Sequence, residues 1–325
     1  MKTDAPLYFF AFLFTLTMTV FLGRLIIPFL KSHAKQPIYE GGPIWHMSKS
    51  GTPTMGGLSF LISITLTLLL CTLYQYAIEE TADSLSLLLC TAYALLNSLV
   101  GVIDDATKLK RKENAGLSPR AKLIFQFTIS ALFLLSRRML LHEGMTAILP
   151  LRLFENDAVY FILSLIILVG ITNCANLTDG VDGLAASVAL AIGISLFYFA
   201  YPNSPGGSFI AIALAAGSIG FLVFNLHPAR VFMGDTGSLF LGALVGALAF
   251  ELKNPLISVV SGGVYVIEGV SVILQVAYFK LTKKRLFKMS PLHHHFEKCG
   301  WDENKICIVA IVVTLVFSCT LKLWL

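Results

Sequence analysis

Charged side chains are scarce in this 325-residue chain. Asp, Glu, Lys and Arg make up only 13% of it, whereas hydrophobic residues make up 56%. The mean hydropathy is +0.78. So little charge excludes an ordinary water-soluble domain. The chain also lacks a linker, a low-complexity stretch or a strong internal repeat at which it would divide. We therefore predict a single polytopic membrane domain over residues 1–325.

Several motifs of known chemistry are missing as well. The six cysteines form no CxxC pair, so they predict neither a disulfide framework nor a structural zinc site. There is no Walker-type phosphate loop, GxSxG elbow or HExxH zinc motif. The net charge of +5 is carried by basic residues beside predicted helix ends. Membrane orientation and anionic lipid explain these residues, so we expect a lipid partner and no nucleic acid.

What the chain does contain is a series of long apolar segments. A membrane span needs about 20 apolar residues. Ten segments qualify or come close, at residues 7–30, 56–77, 85–103, 122–141, 158–173, 184–200, 208–225, 238–252, 256–281 and 305–325. The first has no small-residue cleavage site after its apolar run, so we expect it to be retained. The predicted fold is an all-α bundle of ten transmembrane helices.

The basic residues are distributed unequally between the loops. Of the 24 lysines and arginines, all but six lie in one set of loops and adjoining helix ends; the exceptions are Lys2, Arg137, Arg138, Arg152, Lys253 and Lys322. Because Lys and Arg in short loops mark the cytoplasmic side, both termini are predicted to lie outside. We expect Arg137 and Arg138 to snorkel to the outer interface. Glu251, near the same interface, is expected to need no special role.

Five polar clusters interrupt the apolar chain, and the predicted topology puts all of them on the cytoplasmic face. They read GTPTMGG (51–57), VGVIDDATKLKRK (100–112), NCANLTDGVDGL (173–184), NLHPARVFMGDTGSL (225–239) and SPLHHHFEKCGW (290–301). Polar and ionisable groups gathered on one face of a membrane protein indicate a functional site.

The second cluster contains two adjacent carboxylates. Asp104 and Asp105 are predicted to close the third span, and Lys108 follows one turn later. Carboxylates this close repel each other, so we expect a cation or a metal beside them. The alternative is a solvated helix end with an i,i+4 Asp104–Lys108 pair. Acidic charge at a helix C-terminus opposes the helix dipole, which weakens this alternative.

The third cluster repeats a polar residue at every third position, at Asn173, Asn176, Asp179 and Asp182. On a helix this spacing forms a slowly drifting polar stripe. The glycine after each aspartate permits a tight turn and close approach of a ligand. A capped loop with Asx-turns is the alternative. Four polar side chains exceed what a cap needs, which favours function.

The fourth cluster places Asp235 at a glycine-rich entry to the eighth span. We expect Ser238 to cap this helix and Gly237 to let the backbone come close. A metal–phosphate pair suits the positive end of a helix. Mg²⁺ takes oxygen ligands and commonly uses one or two carboxylates plus substrate phosphates. An ordinary N-cap beside an acid is the alternative.

The fifth cluster contains three consecutive histidines, His293, His294 and His295. Adjacent histidines do not easily converge on one zinc ion. We interpret them, together with Lys49 and Lys122, as groups that recognise an anion.

Two polar residues lie inside the ninth apolar segment. Glu268 and Gln275 are seven residues apart and so share a helix face. An ionisable group at that depth is a functional candidate. Gly262 and Gly263 allow a bend or tight packing nearby.

These clusters resemble the polyprenyl-phosphate N-acetylhexosamine-1-phosphate transferase superfamily over essentially the whole chain. The DD and DGxDG motifs are shared across that superfamily, and PLHHHFEKCGW resembles its phospho-N-acetylmuramoyl-pentapeptide transferase branch. The resemblance implies a homodimeric ten-helix bundle with a cytoplasmic active-site cleft and a long, broken ninth helix. It implies transfer of phospho-MurNAc-pentapeptide from UDP-MurNAc-pentapeptide to undecaprenyl phosphate, giving lipid I and UMP. Peptidoglycan synthesis at the bacterial inner membrane is the implied setting.

The resemblance also implies roles for individual residues. Asp235 would bind Mg²⁺, for which Mn²⁺ can substitute, and Mg²⁺ would bridge the pyrophosphate. Asp104 would orient or deprotonate the polyprenyl phosphate with support from Asp105. The remaining implied catalytic residues are Lys108, His294 and His295. The implied substrate-binding residues are Lys49, Thr54, Lys122, Asn173, Asn176, Asp179, Asp182, Asn225, Phe232, Ser238, Gln275 and His293. Of these, Phe232 is suited to stack on uracil.

Three alternatives stay open at this point. Direct attack by the lipid phosphate is the expected mechanism, and a covalent phospho-sugar on Asp104 is the alternative. A UDP-GlcNAc–polyprenyl-phosphate transferase is the alternative within the same fold, which the triple histidine disfavours. An ion-coupled transporter is the alternative from another class. It is disfavoured because the acids cluster on one face and the outer half is nearly uncharged.

Overall fold

A computed structural model of the chain describes residues 5–34, 49, 51–111, 115–142, 156–201 and 203–323. All regular structure within these ranges is helical. The helices are α1 (Ala5–His33), α2 (Leu58–Ala77), α3 (Thr81–Arg111), α4 (Pro119–Leu140), α5 (Asp157–Thr178), α6 (Leu184–Ala200), α7 (Pro205–Asn225), α8 (Gly234–Glu251), α9 (Leu256–Ser261), α10 (Gly263–Thr282), α11 (Leu292–Glu297) and α12 (Glu303–Thr320). A 3₁₀ turn at Leu321–Leu323 follows the last helix.

The predicted apolar segments coincide with helices, but not all of these helices qualify as spans. In the described part of the chain, eight are long and apolar enough to cross a membrane, namely α1, α2, α3, α4, α5, α7, α10 and α12. The apolar α6 has only 17 residues, and α8 carries a carboxylate at each end. The class of helical membrane protein is thus confirmed, and ten spans remain a prediction. The predicted position of the termini concerns residues 1–4 and 324–325, which lie outside the described ranges.

Helix α8 lies at the centre of the bundle. Every residue from Thr236 to Glu251 is buried, and the helix packs along α3 and α5. Small residues make this possible: a Cβ added at Gly242 would lie 2.7 Å from Thr172 Cα of α5. Close packing of small residues is what drives helix association where lipid replaces water. The N-terminus of α8 is thereby held against α3 at the position of the two adjacent aspartates.

The ninth apolar segment forms two helices. The chain is interrupted at Gly262, between α9 and α10. A Cβ at Gly262 would lie 2.4 Å from the carbonyl oxygen of Ser258, so a larger residue does not fit this break. After α10 the chain turns back, and the short helix α11 brings the three histidines to the side of α10.

The expected snorkelling of Arg137 is wrong. Its side chain is 3% exposed. One guanidinium nitrogen donates to Ser86 Oγ at 3.0 Å and lies 3.4 Å from Glu251 Oε2. Glu251 is therefore half of a buried ion pair that joins α3, α4 and α8, and the expectation that it needs no special role is also wrong. Arg138 is exposed and lies 3.1 Å from the exposed Asp157, and its snorkelling stays a prediction.

Candidate active site

The two adjacent aspartates of α3 are buried. The helix extends to Arg111, so Asp104 and Asp105 lie within it, and the prediction that they close the helix is wrong. Their exposed fractions are 0% and 2%. A buried carboxylate requires opposite charge or hydrogen-bond donors around it. The groups that satisfy these two carboxylates therefore define the site.

Asp104 is held between two lysines. Lys108 Nζ lies 2.7 Å from Oδ2, and Lys122 Nζ of α4 lies 3.0 Å from Oδ1. The main-chain N–H of Leu117 donates to Oδ1 at 2.7 Å. The i,i+4 Asp104–Lys108 pair is thus present, but inside a larger buried network rather than at a solvated helix end.

Asp105 caps the N-terminus of α8. It accepts hydrogen bonds from the main-chain N–H groups of Asp235 at 3.2 Å and Thr236 at 2.9 Å, and from Thr236 Oγ1 at 2.7 Å. A carboxylate is favourable at the positive end of a helix. The helix begins at Gly234, so Ser238 lies one turn inside and donates to Gly234 O at 3.1 Å. The prediction that Ser238 is the cap is therefore wrong.

Asp235 joins the same cluster from α8. Its Oδ2 contacts Lys122 Nζ, and its Oδ1 lies 3.3 Å from Lys108 Nζ. Asn176 Nδ2 of α5 donates to the same Oδ1 at 3.1 Å and to Ser238 Oγ at 2.7 Å. Three helices and the N-terminus of a fourth thus converge on one group of charges.

This group offers an oxygen-only donor set. One carboxylate oxygen each from Asp104, Asp105 and Asp235 lies within 4.8 Å of the others. Mg²⁺ prefers hard oxygen ligands and usually takes only one or two carboxylates. The ammonium groups of Lys108 and Lys122 stand between the carboxylates and show that positive charge is stabilised there. The donor chemistry therefore fits Mg²⁺.

The polar stripe of the third cluster is split by the end of α5. Asn173 and Asn176 lie on the helix, which ends at Thr178, and Asp179 follows as its C-cap. Asn173 Nδ2 donates to Gln126 Oε1 of α4 at 2.7 Å. The stripe interpretation therefore holds for the two asparagines, whereas the two aspartates lie in the turn that follows.

Asp179 lies in this turn beside the carboxylate group. Desolvation raises the pKa of its carboxyl well above the usual range, and the negative charges of Asp235 and Asp105 raise it further. The main-chain N–H of Asp179 donates to the carbonyl oxygen of Asn176 at 3.2 Å, and the Asn176 side chain donates to Asp235 Oδ1 at 3.1 Å. Asp179 is therefore joined to the carboxylate group through Asn176.

Asp182, the second aspartate of the turn, belongs to a different cluster. Lys49 Nζ lies 2.8 Å from Asp182 Oδ1 and 2.7 Å from Glu303 Oε2. His227 Nδ1 lies 3.1 Å from an oxygen of each of these carboxylates. Asp182, His227 and Glu303 also place donor atoms within 4.8 Å of one another. Because their donor set includes a histidine nitrogen, it suits Mg²⁺ less well than an oxygen-only set.

Sequence reasoning missed His227 and Glu303. His227 lies within the fourth polar cluster, so its position in the sequence could have identified it as a candidate site residue. Glu303 is in the first turn of α12, where an acidic residue is ordinary and needs no functional explanation.

Three further predicted residues lie around the start of α8. A Cβ at Gly234 would lie 2.8 Å from Thr54 Oγ1, so Thr54 reaches the same helix end. Asn225 Oδ1 accepts from the main-chain N–H of Gly183 at 3.1 Å and thereby fixes the α5–α6 turn. Phe232 is half-buried, and its N–H donates at 2.8 Å to the segment that precedes α2.

The first two histidines are buried in α11. His293 is 1% exposed, with Nδ1 at 3.2 Å from Glu268 Oε2. Its other ring nitrogen faces Gly180, where an added Cβ would lie only 2.3 Å away. His294 Nδ1 lies 2.5 Å from Glu297 Oε2. The structure thus brings α11 directly against the turn that carries Asp179.

His295 and Gln275 lie farther from this turn. His295 Nδ1 accepts from the main-chain N–H of Lys288 at 3.1 Å. Gln275 Oε1 accepts from the N–H groups of Leu286 and Phe287 at 3.1 and 2.9 Å. Both side chains organise the connection between α10 and α11, and their predicted contacts with substrate stay predictions.

Comparisons with known proteins agree with this arrangement. Residues 84–253, more than half of the chain, match the family model of glycosyl transferase family 4. Residues 49–61 match signature 1 of the phospho-N-acetylmuramoyl-pentapeptide-transferases. The first region contains the carboxylate group, and the second contains Lys49 and Thr54.

Curated relatives extend the match to almost the full chain. The phospho-N-acetylmuramoyl-pentapeptide-transferase of Shouchella clausii is 41% identical over 316 residues, which cover 95% of this chain and 94% of the relative. The protein of that name from Caldicellulosiruptor bescii is 41% identical over 318 residues, or 96% and 95%. That from Carboxydothermus hydrogenoformans is 43% identical over 308 residues, or 90% and 91%. The chain belongs to glycosyl transferase family 4 and, within it, to the phospho-N-acetylmuramoyl-pentapeptide-transferase family. The resemblance drawn from the motifs is confirmed.

Proposed function

We propose that this protein transfers phospho-MurNAc-pentapeptide from UDP-MurNAc-pentapeptide to undecaprenyl phosphate, producing lipid I and UMP for peptidoglycan synthesis. The observation that carries the proposal is the buried group of Asp104, Asp105 and Asp235 with Lys108 and Lys122, where α3, α4 and the start of α8 meet. Such a group handles phosphate at bilayer level, where a lipid phosphate lies. The family to which the chain belongs supplies the identity of the two substrates.

In the proposed reaction, Lys108, Lys122 and Asp104 act directly on the phosphate groups. An oxygen of the lipid phosphate attacks the β-phosphorus of the nucleotide, and the bond from that phosphorus to UMP breaks. Lys108 and Lys122 neutralise the phosphate oxygens in exchange for part of their present carboxylate contacts. Asp104 orients the lipid phosphate. Because the second pKa of such a phosphate is about 6, it is largely dianionic at neutral pH, and deprotonation by Asp104 is helpful rather than essential.

Asp235, with Asp104 and Asp105 beside it, would hold Mg²⁺. When bound, the ion supplies positive charge opposite the pyrophosphate and the departing UMP. Asp105 keeps the N-terminus of α8 in place through its hydrogen bonds to Thr236. It thereby fixes the position of the Asp235 carboxylate.

The nucleotide sugar is proposed to lie between the carboxylate group and the α5–α6 turn. Asn176 contacts Asp235, and Asp179 follows at the end of the same helix. Lys49 and Asp182 form the neighbouring cluster. Together these groups offer hydrogen-bond donors and acceptors for a uridine and its sugar.

We place the site at the cytoplasmic face of the bacterial inner membrane, on the distribution of Lys and Arg. The homodimer is proposed on the family resemblance alone. The orientation is testable with Glu80→Cys, predicted outside, and Lys110→Cys, predicted inside; both residues are exposed. In a background with Cys299 and Cys319 replaced by Ser, an impermeant thiol reagent applied to intact cells should label only the first variant. The opposite pattern would reverse the orientation.

The proposed activity is tested by measuring UMP release from purified protein. UDP-MurNAc-pentapeptide and UDP-GlcNAc are supplied in parallel, each with and without undecaprenyl phosphate. We expect release from the first nucleotide, dependent on the lipid phosphate, and very little from the second. A site built on hydrogen bonds rejects analogues that leave its groups unpaired. Preference for UDP-GlcNAc would indicate a UDP-GlcNAc–polyprenyl-phosphate transferase instead. Uptake into vesicles without UMP release would indicate a transporter.

A further inference from the structure

Glu268 is a buried carboxylate outside the charged group described above. It lies on α10 within a candidate span and is 5% exposed. One side of it adjoins an apolar cavity of about 210 Å³ lined by residues that include Leu184, Ile267, Leu292 and Phe296. A carboxylate at such depth is costly to bury and is retained where its contacts matter. Its polar contacts must therefore lie elsewhere.

Those contacts are both with His293. Glu268 Oε2 accepts from the main-chain N–H of His293 at 3.2 Å and lies 3.2 Å from its ring Nδ1. His293 is the second residue of α11, so its N–H has no partner within the helix. One carboxylate oxygen thus binds the backbone of the first histidine through a hydrogen bond and lies beside its ring, whose Nδ1 makes no hydrogen bond with it. The two histidines that follow are on the same short helix and move with it.

The next link runs from His293 to the α5–α6 turn. The ring nitrogen distal to Glu268 faces Gly180, where a Cβ would lie 2.3 Å from it. Gly180 follows Asp179, whose main-chain N–H donates to the carbonyl oxygen of Asn176 at 3.2 Å, and the Asn176 side chain donates to Asp235 Oδ1 at 3.1 Å. A shift of His293 would therefore change the packing of the turn that borders the reaction centre.

The carboxylate of Glu268 is itself anchored to the same part of the bundle. The next residue, Gly269, packs against Cys174 of α5, and a Cβ at Gly269 would lie 2.3 Å from its Sγ. Helix α10 is thus fixed to α5 just before that helix ends at Thr178. The contacts close a ring: α5 to α10 through Gly269, α10 to α11 through Glu268, and α11 back to the turn after α5.

We propose that Glu268 is a positioning residue that fixes the triple-histidine helix against the α5–α6 turn and so sets the place of Asp179 at the reaction centre. This inference rests on the proposed transferase function. It assigns to Glu268 no contact with substrate. Its effect on turnover passes entirely through His293.

A double-mutant cycle tests this dependence. Glu268→Ala removes both contacts with His293, and Glu268→Gln keeps an acceptor for the N–H but removes the charge beside the ring. We expect kcat to fall by about 10²-fold for Glu268→Ala, because a displacement of the reacting groups by about 1 Å has an effect of that size. The loss for Glu268→Gln should be roughly tenfold. Glu268→Ala combined with His293→Ala should be no less active than His293→Ala alone, because residues that act as a unit are not additive.

The kinetic constants separate positioning from simple stabilisation. The KM for UDP-MurNAc-pentapeptide should rise in the Glu268 variants, while the KM for undecaprenyl phosphate stays near that of wild type. Glu251→Gln is the matched control, since Glu251 is also a buried carboxylate, 8% exposed, at the opposite end of the bundle. It should lower the melting temperature and leave turnover per folded enzyme unchanged.

Wild-type activity is measured first, so the two hypotheses fail separately. Absence of transfer by wild type would refute the proposed function. Transfer by wild type, with full turnover per folded Glu268→Gln, would refute the positioning role alone. Losses that multiply in the double variant would also refute it, because Glu268 would then act without His293. If Glu268→Ala does not fold, the Gln variant and its combination with His293→Ala decide the question.

Discussion

Lys122 of α4 forms an ion pair with Asp235 at the start of α8, and the same ammonium group lies 3.0 Å from Asp104 of α3. Lys108 contacts the same two aspartates from within α3 and also lies 3.7 Å from Asp105 Oδ1. Two lysines thus join three carboxylates in a buried setting. The carboxylates exceed the lysines by one, so the group has room for further positive charge. A divalent cation that also binds the substrate phosphates can supply it.

This charge balance predicts that turnover depends on a divalent cation. Purified enzyme should lose activity in excess chelator and regain it with Mg²⁺ or Mn²⁺. Asp235→Ala should abolish turnover while the protein still folds and extracts normally. Asp157→Ala, a change at an exposed carboxylate of another helix end, serves as the control and should be fully active. Full wild-type activity in excess chelator would contradict the role of the metal.

Asp104 distinguishes the two mechanisms. If it orients or deprotonates the lipid phosphate, Asp104→Asn should slow turnover by about 10²–10⁴-fold, the range of acid–base groups. A covalent intermediate would instead release UMP from wild-type enzyme without polyprenyl phosphate, in a burst equal to the amount of enzyme. We expect no burst in a rapid-quench experiment. A stoichiometric burst, with phospho-sugar attached to Asp104, would refute direct attack.

The second and third histidines are predicted to serve turnover. His294→Ala and His295→Ala should each lose most activity, because imidazoles can donate hydrogen bonds or pair with phosphate when protonated. The alternative is that they only shape the segment around α11, as the contact of His295 with Lys288 permits. Turnover per folded enzyme is therefore compared with melting temperature. A lower melting temperature with unchanged turnover would remove that histidine from the site.

The Arg137–Glu251 pair predicts a large effect on stability and none on chemistry. Arg137→Met removes the guanidinium that lies 3.4 Å from the buried carboxylate of Glu251. Breaking a buried pair in this way costs about 3–5 kcal/mol. Thermal unfolding should show a marked loss, and Arg137→Met combined with Glu251→Leu should recover much of it. A single variant as stable as wild type would show that the pair contributes nothing.

Hydropathy located the helices well because burial in lipid or protein demands long apolar runs. It did not locate their polar ends. The third helix continues past its apolar part to Arg111 because Asp104 and Asp105 find lysines and donors inside the protein. The eighth helix begins at Gly234 because Asp105, far away in the sequence, caps it. Such partners are set by packing between helices, which local pattern does not contain.

The candidate site, like the helices, was predicted only in part from the sequence. Its carboxylates stood out because charges are rare in the chain, whereas the partition of Asp179 and Asp182 between two clusters depends on where α5 ends. The cluster around Asp182 also needs His227 and Glu303, which come from other helix ends. Sequence spacing identified groups that bear charge, and tertiary contacts decided which of them meet.

The buried aspartate–lysine group is proposed to catalyse phospho-sugar transfer to a lipid phosphate. The most direct test supplies UDP-MurNAc-pentapeptide labelled in its β-phosphorus and in its sugar, together with undecaprenyl phosphate, and analyses the lipid product. We expect both labels to appear in the lipid in equal amounts, matched by UMP, and Asp235→Ala to yield none. A lipid that carries the sugar without the labelled phosphorus, or release of UMP with no labelled lipid, would contradict this proposal.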